Sequence, residues 1–162
     1  MPTIDHTHPL DKRAAYEELL PQIKSLIEGE DNLVGVLANV TAALRTAFGA
    51  RFFWVGFYLV KGDELLLGPF QGTIACYRIK RGRGVCGTAW AQGSTIIVDD
   101  VEQFAGHIAC SSLSRSEIVV PVRKSSGEIV GVLDIDSTDL SAFDETDKEG
   151  LEKIAQLINI IF

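Results

Sequence analysis

From residue 51 to residue 137 the chain runs through short apolar, β-branched and aromatic stretches separated by turn signals, and this constrains the fold more than any other feature. RFFWVGFYLV leads through KGD into ELLLGPF, and SEIVVPV leads through KSSG into EIVGVLDID. Strands joined by so few residues pair as antiparallel hairpins, because a parallel partner needs a crossover of roughly a dozen residues or more. TIACYRIK and STIIVDD read as further strands, with VCGTAWAQ as a short helix between them. VEQFAGHIACSSLSRS keeps no period and reads as a long loop with one helical turn.

Helical patterns flank this strand block. Tyr16, Leu19, Leu20, Ile23 and Ile27 fall at helical spacing, with Pro21 expected to kink or restart that helix. Asn32 can cap a second helix whose stripe is Leu33, Val36, Leu37, Val40, Leu44 and Phe48, and Gly49 ends it. A last helix from Thr146 to Phe162 places Leu151, Ile154, Leu157, Ile158 and Ile161 on one side. The order helix, helix, five or six strands, helix predicts an α+β domain with a mainly antiparallel sheet and helices packed on one face. At 162 residues and 46% apolar composition, one domain over residues 11–162 can build its own core, with residues 1–10 as a polar, disordered arm. Fifteen basic against 22 acidic side chains, a net charge of −7, argue against nucleic acid as a partner. No apolar signal segment opens the chain, and runs such as IVVPV are far shorter than a membrane span, so a cytoplasmic protein with no membrane partner is expected.

Gly82, Gly84 and Gly87 spell a dinucleotide-type glycine pattern, but the six residues between Gly87 and Ser94 are too few for the crossover such a site requires. The glycines are better read as a tight entry into the short helix. Arg78, Lys80, Arg81 and Arg83 beside them form the one basic cluster, read as a solvated strand edge or, more weakly, an anion site.

Asp134 and Asp136 lie on one face of an otherwise apolar strand, together with Val130 and Val132. A turn at Ser125-Ser126, or over Lys124 to Gly127, sets Glu117 opposite Asp134. A turn at Ser126-Gly127 sets it opposite Asp136, and a three-residue loop moves it to the other face. Like charges so opposed persist only if protonated, solvated or balanced by a cation. A pocket for an ammonium group or a proton therefore competes with simple exposure. A metal is not expected, for want of a second set of hard ligands, and His107 is the one histidine nearby in sequence. Phe52, Trp54 and Tyr58 should share one face of their strand and Phe53, Val55 and Phe57 the other, with Trp54 and Tyr58 suited to wall a pocket or to fill a core.

In a reducing compartment, three cysteines argue against standing structural disulfides, so Cys76, Cys86 and Cys110 are each a small hydrophobe or a reactive thiol. Cys76 alternates within a strand, Cys86 starts the short helix, and Cys110 lies in a polar serine-rich loop. Their spacing fits no zinc ribbon. Local electrostatics favours Cys86, at a helix start, as the most activated thiol.

The stretches FFWVGFYLV, LLLGPFQGTIACYRIKRGRGVCGTAW, IIVDDVEQF, HIACSSLSRSEIVVPV and GVLDIDS together resemble the free methionine-(R)-sulfoxide reductases, which have a GAF fold. The resemblance runs from about Tyr16 to the C-terminus. It implies that Cys110 is the nucleophile, Cys76 the resolving thiol and Cys86 a possible alternate, against the local preference for Cys86. It matches Glu117, Asp134 and Asp136 to carboxylates that hold the amino and sulfoxide groups, with one of them, such as Glu117, as the acid. Trp54 and Tyr58 match the aromatic wall. The implied activity reduces free methionine-(R)-sulfoxide with no bound cofactor, takes electrons from reduced thioredoxin, and belongs to a homodimer. A ligand-sensing module without turnover and a redox sensor without substrate are the other classes these residues could serve.

Overall fold

The computed structural model describes residues 11–162; the predicted N-terminal arm lies outside them. Two helices, α1 (Lys12–Ile27) and α2 (Leu33–Phe48), precede strands β1 (Trp54–Lys61), β2 (Glu64–Gln71) and β3 (Arg78–Lys80). Helix α3 (Gly84–Gln92), strands β4 (Ile96–Val98), β5 (Ser116–Arg123) and β6 (Ile129–Ser137), and helix α4 (Glu145–Leu157) follow. The six strands form one antiparallel sheet in the order β3-β2-β1-β6-β5-β4, as the hairpin logic requires.

Helices α1, α2 and α4 each start on a side-chain cap. The Asp11 side chain caps α1, that of Asn32 caps α2 by accepting from the Gly35 N–H at 3.1 Å, and Asp144 forms a reciprocal capping box with Asp147 on α4. Helix α1 runs on through Pro21 rather than restarting there. Its buried side chains Tyr16, Leu19, Ile23 and Ile27 lie on both sides of the proline, so packing holds both halves to one surface. Helix α2 and its following 3-10 turn, Leu33–Arg51, are long and apolar enough to cross a membrane by length and composition. The sequence reading missed this because polar residues interrupt the run. In the fold, Val36, Leu37, Val40 and Leu44 lie against the sheet.

The sheet divides two apolar clusters. Side chains of α1, α2 and α4 pack on one face against Val55, Phe57, Ile118, Val120, Leu133 and Ile135. Helix α3 packs on the opposite face, where Val85, Ala89 and Trp90 meet Trp54, Tyr58, Val119 and Val132. The N- and C-terminal helices share one face, as expected, and the short helix α3 covers the other. Phe52 joins the first cluster and Phe53 the second, the reverse of the expected alternation, because the strand starts only at Trp54 and the chain still bends before it. The TIACYRIK stretch is extended for only three residues, so Cys76 sits in the loop ahead of β3 and not in a strand.

The β5–β6 hairpin closes with hydrogen bonds from Gly127 N–H to Lys124 O (2.9 Å) and from Lys124 N–H to Glu128 O (3.0 Å), the three-residue loop that alone would turn Glu117 away. A bulge restores the register: Arg123 pairs with Ile129, yet Val122 pairs with Gly131. Val130 is the extra residue and packs with the first cluster, not beside Val132 as strict alternation predicted. Beyond the bulge Glu117 stands opposite Asp136.

Candidate active site

Strands β1, β5 and β6, helix α3 and the loops at 72–77 and 104–115 line a cleft on the α3 side of the sheet, about 560 Å³ with its open mouth included. Strand alternation delivers its floor. Asp134 and Asp136 point from β6, Glu117 from β5, and Trp54 and Tyr58 from β1, while Ile118, Leu133 and Ile135 between them point into the first cluster. Cys110 and His107 enter from the long loop.

Two loops are tied across the mouth by a Cys76–Cys110 disulfide with Cα atoms 5.5 Å apart. Cys110 lines the cleft; Cys76 does not. The aromatic wall is fixed by its polar tips: Tyr58 Oη donates to Cys76 O at 3.0 Å and Trp54 Nε1 donates to Thr73 O at 3.0 Å. Trp54 stacks between Tyr58 and Phe70, at centroid distances of 6.0 and 5.2 Å. The same side chains thereby shape the cleft and hold the loop that carries Cys76.

Glu117 and Asp134 are buried and Asp136 is half-buried, and desolvation disfavours the charged form of all three. Burial pushes Asp134 up to about 6, partly offset by hydrogen bonds from Glu117 and Cys86. Glu117 and Asp136 are raised well above the usual carboxylate range, first by burial and then by the charge of Asp134. Asp134 is therefore the easiest of the three to ionise. Its Oδ1 is buried without a hydrogen-bond partner, as expected of an acceptor that awaits a donor from a ligand. Ser114 donates a short hydrogen bond to Asp136 Oδ1, and His107 Nε2 lies 3.7 Å from Glu117 Oε2. Burial lowers the His107 pKa.

Cys86 is the free thiol, buried at the back of the cleft with Sγ 3.9 Å from Glu117 Oε1. Burial and the neighbouring carboxylates raise its pKa, so the local preference for Cys86 as the most activated thiol is corrected. A thiolate there would face acidic groups in a desolvated corner, which outweighs one short helix's dipole. Donor atoms of Cys86, Glu117 and Asp134 lie within 4.8 Å of one another, the set that could hold a cation.

The glycine pattern serves the turn, as expected. Gly82 and Gly84 have φ of +78° and +61°, and a Cβ on Gly87 would sit 2.3 Å from Lys80 O. Arg78 and Lys80 lie on edge strand β3, Arg81 stacks over Trp90 at 5.3 Å, and Arg83 reaches the cleft rim. No side chain caps the N-terminus of α3, and its first residues Gly84 and Val85 line the cleft. Every residue predicted for the site except Cys76 lines this cleft, and Cys76 is bridged to it. Sequence reasoning missed Ser114 and gave His107 no role; both lie in a loop without period, where only closeness to Cys110 could have flagged them.

A six-stranded antiparallel sheet with terminal helices on one face and a cleft on the other defines a GAF domain, and the GAF domain family model matches residues 30–162. A GAF domain-containing protein A from Dictyostelium discoideum is 60% identical over 91% of this chain and 92% of its own. The free methionine-R-sulfoxide reductase of Saccharomyces cerevisiae is 43% identical over 96% of this chain and 90% of its own. The X-ray structure of free methionine-R-sulfoxide reductase from Neisseria meningitidis, in complex with its substrate, superposes with a TM-score of 0.93 at 53% identity, covering 98% of this chain and 94% of that one. The chain belongs to the GAF-domain family, among the free methionine-R-sulfoxide reductases.

Proposed function

We propose that this protein reduces free methionine-(R)-sulfoxide to methionine, with Cys110 as nucleophile, Cys76 as resolving thiol and reduced thioredoxin as electron donor. The observation that carries this reading is one cleft that joins Cys110, three converging carboxyl groups and an aromatic wall. The stereochemistry follows the named activity of the relatives.

The residue chemistry supplies each step. A sulfoxide sulfur resists attack until its oxygen gains a proton, so an acid must lie beside the thiolate. Glu117 and Asp136, held protonated by burial, are the donors. Asp134, the first to ionise, meets the substrate's α-ammonium with its unpartnered Oδ1. The α-carboxylate faces the uncapped start of α3 and Arg83. Trp54 and Tyr58 pack on the methyl-sulfinyl end. Cys110 thiolate attacks the sulfur, oxygen passes to Cys110 as a sulfenic acid with the proton from the carboxyl group, and methionine leaves. The Cys76 thiol then attacks the Cys110 sulfur, water departs and the disulfide closes. A thioredoxin dithiol, being more reducing, takes the disulfide back to two thiols. Cys86 stays outside this cycle as a possible alternate thiol. A peptide-bound methionine lacks the ammonium that Asp134 receives, which gives the preference for the free amino acid.

No resident cofactor takes part in this scheme. We further place the active unit in a reducing cytoplasm, as a homodimer of single catalytic domains spanning residues 11–162. The test couples free methionine-(R)-sulfoxide, thioredoxin, its reductase and NADPH. Turnover that vanishes in Cys110→Ser is the expected result, and no NADPH consumption by the intact protein would sink the reading in favour of a sensor.

A further inference from the structure

Seven large apolar side chains are exposed among the described residues, and four of them, Ile74, Tyr77, Ile108 and Leu113, lie within three residues of a bridged cysteine. Ile74 and Tyr77 are 88% and 79% exposed, and Leu113 is 57% exposed. Scattered exposed hydrophobics are ordinary, but a cluster around one covalent feature marks an interaction surface. Tyr77 and Leu113 neither line the cleft nor join either apolar cluster, so neither the substrate nor the fold explains them.

Both bridged cysteines are half-buried, and Cys110 lines the cleft whereas Cys76 does not. Thiol–disulfide exchange requires the attacking thiolate to touch a sulfur directly, so whatever reduces this bridge must rest on its surroundings. Charge narrows the partner. Lys80, Arg81 and Arg83 are exposed within seven residues of Cys76, beside an Arg78 that pairs with Glu64 at 3.2 Å, in a chain of net charge −7. This local reversal of sign favours an acidic partner and repels a basic one.

We infer that Ile74, Tyr77, Ile108 and Leu113, with their basic margin, form the docking surface for a small protein dithiol that is apolar around its nucleophilic cysteine and acidic at its edge. This rests on the reading of the bridge as a turnover intermediate. The partner's thiolate attacks Cys76 Sγ, a mixed disulfide forms, and the Cys76–Cys110 bond breaks to leave Cys110 as a thiolate facing the cleft. The partner's second thiol then attacks its own bridged sulfur and releases Cys76. The partner leaves as a disulfide, having delivered two electrons and two protons. Attack from outside thus frees Cys110 where the next substrate arrives.

The test uses the oxidised protein without methionine sulfoxide and follows bridge reduction by thioredoxin and by dithiothreitol in a stopped-flow instrument. In Tyr77→Asp/Leu113→Asp the thioredoxin rate constant should fall about tenfold or more while the dithiothreitol rate stays within about twofold of the parent. A thioredoxin rate unchanged by the two substitutions, or an equal fall with both reductants, would overturn the docking surface. Thioredoxin lacking its second cysteine should be trapped on Cys76 by mass mapping, and trapping on Cys110 would overturn the assigned direction of attack. Because no methionine sulfoxide is present, failure to turn over that substrate counts against the reductase reading alone.

Discussion

At the scale of single residues, burial decides the chemistry of the cleft. Glu117, Asp134 and Asp136 face one another from adjacent strands in a setting that penalises their charge, so exchanging the acid should cost rate more than stability. Glu117→Gln is expected to lower turnover of the free substrate by about 100-fold or more with little change in melting temperature, measured by the coupled assay and by thermal unfolding. The linked prediction concerns pH. Asp134 binds its proton more tightly folded than unfolded, so the stability it contributes is complete below the unfolded pKa, about 3.9, and is lost as pH rises through about 6. Glu117 and Asp136 shift in the same direction. Thermal melts of Asp134→Asn should therefore gain on the parent as pH rises from about 4 to about 6, and a gap independent of pH would contradict the assignment. Period-two alternation made the pairing of Asp134 with Asp136 visible in the sequence, and one of its registers brought Glu117 opposite Asp136. Cys86 was legible only as a thiol, because its approach to Glu117 spans 31 residues and depends on how α3 packs.

Elements carry a different set of constraints. Hairpins, caps and helical stripes were readable because each is set by neighbours in sequence. The bulge at Val130 was not, since nothing in KSSGEIV separates a regular two-residue turn from a three-residue loop followed by one extra residue. Pro21 misled in the other direction, its local penalty being overridden by tertiary packing on both sides. The contact between α1 and α4 also depends on distant partners. Asp147 is fully buried and receives Lys12 Nζ at 2.5 Å and Tyr16 Oη at 2.9 Å. Lys12→Ala leaves that carboxylate without its cation and should cost about 2 kcal/mol or more in a denaturant titration, against about 1 kcal/mol for Tyr16→Phe. Equal and negligible effects would mean that α1 is held by its apolar side chains alone.

Across the whole molecule, the redox state of one bridge sets both readiness and stability. The Cys76–Cys110 link closes a loop with a sequence separation of 34, and a constraint of that length on the unfolded chain contributes about 2–4 kcal/mol. Reduced protein should accordingly unfold at a lower denaturant concentration than oxidised protein, with Cys76→Ser matching the reduced form under either condition. The sheet that divides the two apolar clusters has a practical consequence. Along β6, Leu133 and Ile135 support the fold, while Val132, Asp134 and Asp136 face the opposite side, two of them meeting whatever enters the cleft. Ligand preference is thus written in a separate alphabet from foldedness, interleaved one letter at a time on the same strand. A library randomised only at the cleft-facing letters could be screened for new small-molecule specificities on an unaltered scaffold.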